Sequence, residues 1–296
     1  MPFDPKGPAA MVLRGLPIDP NVPPTPTTRE TFFQQSRSCS CPVADTMVLG
    51  ICRLLGILHG PKIPPQSHIV RDLMPTTKEG LGSLPMHRDY ARQVGDQAGI
   101  LWEPQFLILY CLRSGSARSQ AATIVTDYQR LYQRISKNDR ELLRKYKIQM
   151  KMQFKGTDDI RDLGGPFCSI EGGEENRNDL SITLHNGIPG ATVWATSPDA
   201  RETSEDMERR VVQACERLSD TAMELGEHVL LQPGDMLIIN NSRCVHGRTA
   251  YTPQLDGKDR WFIKCYVSNG LWKAPGQPSC GGYGRPSTFP SLDYPQ

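Results

Sequence analysis

The 296-residue sequence predicts a mainly β protein with helical cover, a sandwich or barrel of strands clad by a few helices. Three observations lead there. Apolar runs of strand length recur through the chain from "FLILYCLR" at 106–113 onward. One run, "KIQMKMQF" at 147–154, alternates cleanly, with Ile148, Met150, Met152 and Phe154 on one face. Only two segments among these runs carry a helical repeat.

The elements follow in chain order. Residues 1–30 contain "LPIDPNVPPTPTTRE", too rich in proline for a domain, and predict an extended arm lying on the body. Residues 31–59 read as partly helical. "FLILYCLR" and "AATIVTD" (121–127) are strands. "SKNDRELLRKY" opens a helix at Ser136, with Asp139 three residues later in a capping-box pattern. Residues 156–179, "GTDDIRDLGGPFCSIEGGEENRND", are glycine-rich and acidic and predict a long mobile loop, in functional terms a lid. "LSITLHN" and "ATVWAT" resume the strands. "TSEDMERRVVQACERLSDTAMELG" begins a helix near Thr203, spaces Met207, Val211, Cys215, Leu218 and Ala222 along one face, and stops at Gly226. "HVLLQPGDMLIIN" turns at Pro233-Gly234-Asp235 into a buried strand, and "DRWFIKCYV" follows. Residues 271–296 form an irregular tail. The whole, 1–296, reads as a single domain.

Composition narrows the function. A formal net charge of +2, with no basic cluster interleaved with aromatics, argues against nucleic acid. No apolar run approaches a membrane span, and "MPFDPKGPAA" lacks the apolar centre of a signal peptide. The nine cysteines are scattered and odd in number, so they read as reduced and the compartment as cytoplasmic. The partner predicted is a small-molecule substrate, bound by a monomer or homodimer.

The candidate site begins in "SLPMHRDYARQ". His87 and Asp89 flank Arg88, and on an extended backbone both point the same way. That suits two ligands of one metal ion and also a surface ion pair, and on this stretch alone the surface ion pair is the favoured reading. The second part lies in "PGDMLIINNSRCVHGRTAYTPQLDGKDRWFIKCYV". His246 follows a buried strand and a short polar break, and Gly247 leaves room for a ligand or another backbone. In the last strand Arg260, Phe262, Lys264 and Tyr266 share one face, while Trp261, Ile263, Cys265 and Val267 share the other. Two cations and two aromatics on one face suit a pocket for a dicarboxylate.

Taken together, His87-Arg88-Asp89 and His246 resemble the two-histidine, one-carboxylate triad of the iron(II)/2-oxoglutarate-dependent oxygenases. Arg260 falls fourteen residues after His246. In the clavaminate synthase-like branch of the TauD/TfdA-type superfamily, the arginine that grips the far carboxylate of 2-oxoglutarate has that spacing. "NNSRCVHGRTAYTPQLDGKDRWF" and "LRGLPIDPNVPPTP" both resemble that branch. The resemblance implies a double-stranded β-helix, or jelly-roll, core. It implies Fe(II) on His87, Asp89 and His246, with 2-oxoglutarate and O2 as cosubstrates and Arg260 and Thr123 holding the 2-oxoglutarate. Related halogenases carry Ala or Gly at the carboxylate ligand. Asp89 therefore implies hydroxylation, desaturation or ring formation rather than halogenation. Lys264 stands where clavaminate synthase would carry an arginine, and Lys264, Arg248 and Asp199 are candidate substrate contacts. The substrate implied is an amino acid or an amino-acid-derived metabolite such as a cyclic dipeptide, in antibiotic or other natural-product biosynthesis. Two other readings are a taurine-dioxygenase-like catabolic oxygenase of a small acid and a non-catalytic jelly-roll binding module.

Overall fold

The computed structural model describes residues 7–28, 41–59, 69–75, 82–89, 91–92, 101–102, 104–153, 160–173, 180–184, 192–195 and 204–268. Among them, two antiparallel sheets form the frame. The larger has the order β1 (Ala10–Leu13), β14 (Met236–Asn240), β7 (Phe106–Arg113), β16 (Trp261–Ser268), β2 (Ile57–His59), and β3 (Arg71–Leu73) also pairs with β16. The smaller has the order β13 (Glu227–Val229), β8 (Thr123–Asp127), β15 (Cys244–Arg248), β4 (Leu84–His87). The two face one another. Leu107, Leu109, Leu237 and Phe262 of the larger sheet pack against Val125 and Cys244 of the smaller. Strand alternation sends the other residues outward. On the larger sheet Ile108, Tyr110, Ile238 and Ile263 pack with Val48 and Cys52 of helix α1 (Pro42–Leu55). On the smaller, Met86, Ile124 and Val245 join a cluster with helices α2 (Tyr128–Arg134), α3 (Lys137–Lys145) and α4 (Glu205–Leu225). This is a double-stranded β-helix core with helical cover, as the sequence predicts. A third sheet, β11 (Ser181–Leu184), β10 (Ile160–Glu171), β9 (Tyr146–Gln153), β12 (Thr192–Ala195), and a short pair, β5 (Ala91–Arg92) with β6 (Leu101–Trp102), complete the described strands.

The arm is tied down by hydrogen bonds that its prolines leave free to form. β1 adds to the edge of the larger sheet against β14. Arg113 donates to Thr25 Oγ1 at 2.6 Å and to the carbonyls of Val22 and Pro23 at 3.3 and 3.0 Å. Helix α1 begins after Cys41, whose side chain makes no cap. Asp19 of the arm does so instead, accepting from the N–H groups of Val43 at 3.0 Å and Ala44 at 2.9 Å. A carboxylate there satisfies orphan donors and meets the positive end of the helix dipole.

Three local readings change. The expected capping box of α3 is half formed: Ser136 Oγ accepts from the Asp139 N–H at 3.0 Å. The Asp139 carboxylate turns away to Arg217 of α4, at 3.1 Å from Nε and 2.6 Å from an Nη, and joins the two helices. Gly226 ends α4 with φ −65°, which any residue adopts, so its role is space. A Cβ there would lie 2.1 Å from Ile124 Cγ2 on β8. The third correction concerns residues 156–179, expected to be a loop. Their described middle is β10, paired with β9 on one side and β11 on the other. Gly164 and Gly165 fall where its register with β9 shifts between Asp162 and Pro166; glycine inside a strand often marks such a bulge. Residues 271–296 lie outside the described residues.

Candidate metal centre

The centre is built on a strand pair. β15 runs antiparallel to β4 with His246 directly opposite His87. Residues opposite one another on paired strands present their side chains on the same face. The two imidazole rings have centroids 4.4 Å apart and are tilted by 50°. Close approach of these strands depends on Gly247, where a Cβ would stand 2.7 Å from the Leu84 carbonyl oxygen and 2.9 Å from Met86 Sδ. On its other side His246 pairs with Val125, an inward residue, so both histidines face the space between the sheets.

Asp89 lies two residues beyond His87 and turns to the same point. Its Oδ1 is 3.7 Å from His87 Nε2 and its Oδ2 is 3.5 Å from His246 Nε2. One ligand atom from each of the three residues lies within 4.8 Å of the others. Both histidines are buried, and the Asp89 side chain is nearly so. This removes the surface ion-pair reading of His87 and Asp89. Arg88 points elsewhere, donating to Ser181 Oγ at 2.9 Å.

The donor set fits a divalent metal. His87 Nδ1 sits 2.9 Å from the Pro85 carbonyl oxygen. A carbonyl only accepts, so Nδ1 carries the hydrogen. Burial, with His246 beside it, holds the His87 pKa down at about 3. The ring is therefore neutral, and Nε2 presents a bare lone pair toward the Asp89 carboxylate. Such a partner on the second nitrogen is what orients a metal-bound histidine. Burial opposes ionisation of Asp89, but the Lys264 ammonium and then a hydrogen bond from His246 more than offset it and hold the carboxyl well below its usual range. Two nitrogen ligands and one carboxylate on one face leave half of an iron(II) coordination sphere open.

The larger sheet supplies cations from the opposite side. Arg260 immediately precedes β16, and with Phe262, Lys264 and Tyr266 it takes the inward face that the sequence predicts; Trp261, Ile263, Cys265 and Val267 pack outward. Arg260 is buried, with its guanidinium 4.3 Å from the Phe262 ring centroid and 5.3 Å from that of Tyr251. Its Nε has no partner among the described residues, and burial lowers its pKa from the ordinary arginine value. Thr123 is buried at the start of β8, opposite Arg248 of β15. Lys264 donates to Asp89 Oδ2 at 2.8 Å, so its ammonium touches the carboxylate of the triad itself. Arg248 donates to the Gly82 carbonyl at 2.8 Å and lies 4.8 Å from the Tyr251 ring centroid. Asp199 lies outside the described residues.

Tyr251, buried between the two arginines, escaped the sequence reading. It sits in the irregular segment between β15 and β16, where no periodicity marks a face. Sequence showed Lys264 on the pocket side but not its contact with Asp89.

Comparison with known proteins agrees with this geometry. The taurine catabolism dioxygenase TauD, TfdA family profile matches residues 40–266, which span the whole triad and Arg260. The chain belongs to this family. Within the TauD/TfdA oxygenases it falls in the clavaminate synthase-like branch. Clavaminate synthase 2 of Streptomyces clavuligerus is 26% identical over 260 residues, covering 87% of this chain and 73% of its own. L-asparagine oxygenase of Streptomyces coelicolor is 26% identical over 294 residues, covering 93% of this chain and 75% of its own. Among solved structures, an asparagine oxygenase bound to Fe(II), 2S,3S-3-hydroxyasparagine and succinate superposes with a TM-score of 0.66. It is 22% identical, with 88% of this chain and 74% of that one covered, and it supports the fold of this TauD/TfdA member. No helix among the described residues is long and apolar enough to cross a membrane.

Proposed function

We propose that the protein is a non-haem Fe(II)/2-oxoglutarate-dependent dioxygenase that oxidises an unactivated C–H bond of an amino acid or amino-acid-derived metabolite in natural-product biosynthesis. The observation that carries this is the convergence of His87, Asp89 and His246 between the sheets, with the buried Arg260 facing the same space. Relatives named for action on amino acids, the L-asparagine oxygenase and an L-lysine 3-hydroxylase of Catenulispora acidiphila among them, favour that substrate class. When bound, iron(II) would supply oxygen activation coupled to decarboxylation of 2-oxoglutarate; the chain supplies position and exclusion of water.

Each residue then has a task. His87, Asp89 and His246 hold the metal. Arg260 offers a planar fork to the far carboxylate of 2-oxoglutarate, and the Thr123 hydroxyl helps to hold it. Lys264, already on Asp89, keeps the cavity positive enough to admit an anionic substrate group. Arg248 is committed to Gly82 and Tyr251 and serves first to steady the Arg260 side of the pocket. Residues 156–179 are proposed to cover the substrate, their described part as the paired strand β10. Their neighbour β11 reaches the ligand-bearing segment, where the Leu184 carbonyl accepts from the Arg88 N–H at 2.7 Å. Hydrogen exchange of residues 160–173 should slow when substrate is added, and equal protection in both states would leave them as framework only.

The purified protein, supplied with Fe(II) and 2-oxoglutarate, should form succinate, and faster with its amino-acid substrate than without. With Asp89 as a metal ligand, product made in excess chloride should gain oxygen or lose hydrogen and carry no chlorine. A screen of amino acids and cyclic dipeptides by mass spectrometry tests both statements. No succinate under any condition would favour a binding module, and a chlorinated product would remove Asp89 from the ligand set.

A further inference from the structure

Asn241 lies in the turn immediately after β14, five residues before His246, and is fully buried. None of the tasks above falls to it, yet its carboxamide makes three hydrogen bonds. Oδ1 accepts from the Asp89 N–H at 3.0 Å, and Nδ2 donates to the Asp89 carbonyl at 2.8 Å and to the Pro104 carbonyl at 2.9 Å. Its own main chain is anchored as well. The N–H donates to the Gln105 carbonyl at 2.8 Å, and the carbonyl accepts from the Tyr128 hydroxyl at 3.2 Å.

The need for such a clamp follows from where β4 ends. The last ladder pair with β15 is His87 opposite His246, so Asp89 projects past the pairing. The Asn241 carboxamide takes the place of a neighbouring strand, giving one donor and one acceptor to the same residue. Among side chains of this length only a carboxamide offers both; aspartate has two acceptors and leucine none. His246 follows on β15, to which the chain crosses from β14 by this turn between the two sheets. The turn therefore grips the backbone of one metal ligand and leads directly into the strand that carries another.

We propose that Asn241 is a positioning residue for the metal: it fixes the Asp89 backbone, and with it the direction of the carboxylate, relative to His246. This rests on the reading that His87, Asp89 and His246 bind a divalent metal. Outer partners of metal ligands typically control affinity by about 10- to 100-fold. A buried asparagine that merely held the fold together would change stability without that selective effect.

The test is titration of the metal-free full-length protein with Co(II) and Zn(II) against a competing chelator, together with its thermal melting. The proteins compared are wild type, Asn241→Ala, the near-isosteric Asn241→Asp, Asp89→Ala, and Asp89→Ala with Asn241→Ala. Both single Asn241 variants should bind metal at least about tenfold more weakly. In the Asp89→Ala background, adding Asn241→Ala should change affinity little, because the carboxylate it positions is gone. Wild-type affinity in the Asn241 variants, or the same loss with and without Asp89, would overturn the proposal while leaving the metal site standing. Failure of both Asn241 variants to fold without metal would make the residue structural and also overturn it. A wild-type protein that bound neither metal would refute the proposed function, and this inference with it.

Discussion

Replacing His246 by alanine should weaken metal binding by more than about a hundredfold and remove most turnover, because even outer partners of such ligands cost about 10- to 100-fold. The imidazole supplies one of three protein ligands, and Asp89 Oδ2 stands 3.5 Å from its Nε2. Without it, His87 and Asp89 offer two ligands on one strand end and no fixed geometry across the sheet. The fold should persist, since His246 sits in a five-residue strand whose neighbours Val245 and Cys244 are fully buried in two different clusters. The measurement is Co(II) titration beside succinate formation, with circular dichroism to confirm folding. A folded variant that kept wild-type metal affinity and rate would remove His246 from the centre.

Arg260→Ala should raise the 2-oxoglutarate requirement about a hundredfold while leaving metal affinity nearly intact. Losing one member of a buried charged pair costs on the order of 3 kcal/mol, which converts to roughly that factor. The guanidinium is buried against Phe262 and Tyr251 with its Nε unpartnered among the described residues, an arrangement that an incoming carboxylate would complete. Arg260→Lys should fall between wild type and alanine: the charge remains, but the planar fork is lost. Steady-state kinetics in 2-oxoglutarate, with metal titration as control, separates this from general damage. An unchanged 2-oxoglutarate dependence in the alanine variant would mean that Arg260 holds something else.

These two residues differ in how far the sequence exposed them. Arg260 was legible, because the alternation of β16 sorts its cations and aromatics onto one face without reference to the rest of the chain. β7 and β14 were legible for a related reason: continuously buried strands read as unbroken apolar runs, "FLILYCLR" and "MLIIN". Helix α2, "YQRLYQR", was missed; with seven residues and two of them buried, it is too short to show a period. β10 was misread as loop because glycine, proline and acidic residues outweigh its apolar ones. Ladder bonds from β9 and β11 on both sides supply what local preference does not.

The sequence by itself determined which residue types were available and which face of each long strand they occupy. It also placed His87, Asp89, His246 and Arg260 at spacings that resemble one oxygenase branch. The tertiary structure decided what meets what. His87 alone, two residues from an aspartate, fits a surface ion pair as well as a metal. It became half of a centre only when β15 docked with His246 opposite it, a register that Gly247 permits. Lys264 meeting Asp89, Tyr251 lying between two arginines and Asn241 gripping the Asp89 backbone have the same origin. Periodicity is a property of neighbours along the chain, whereas partners across a sheet are chosen by register and by the packing of both faces.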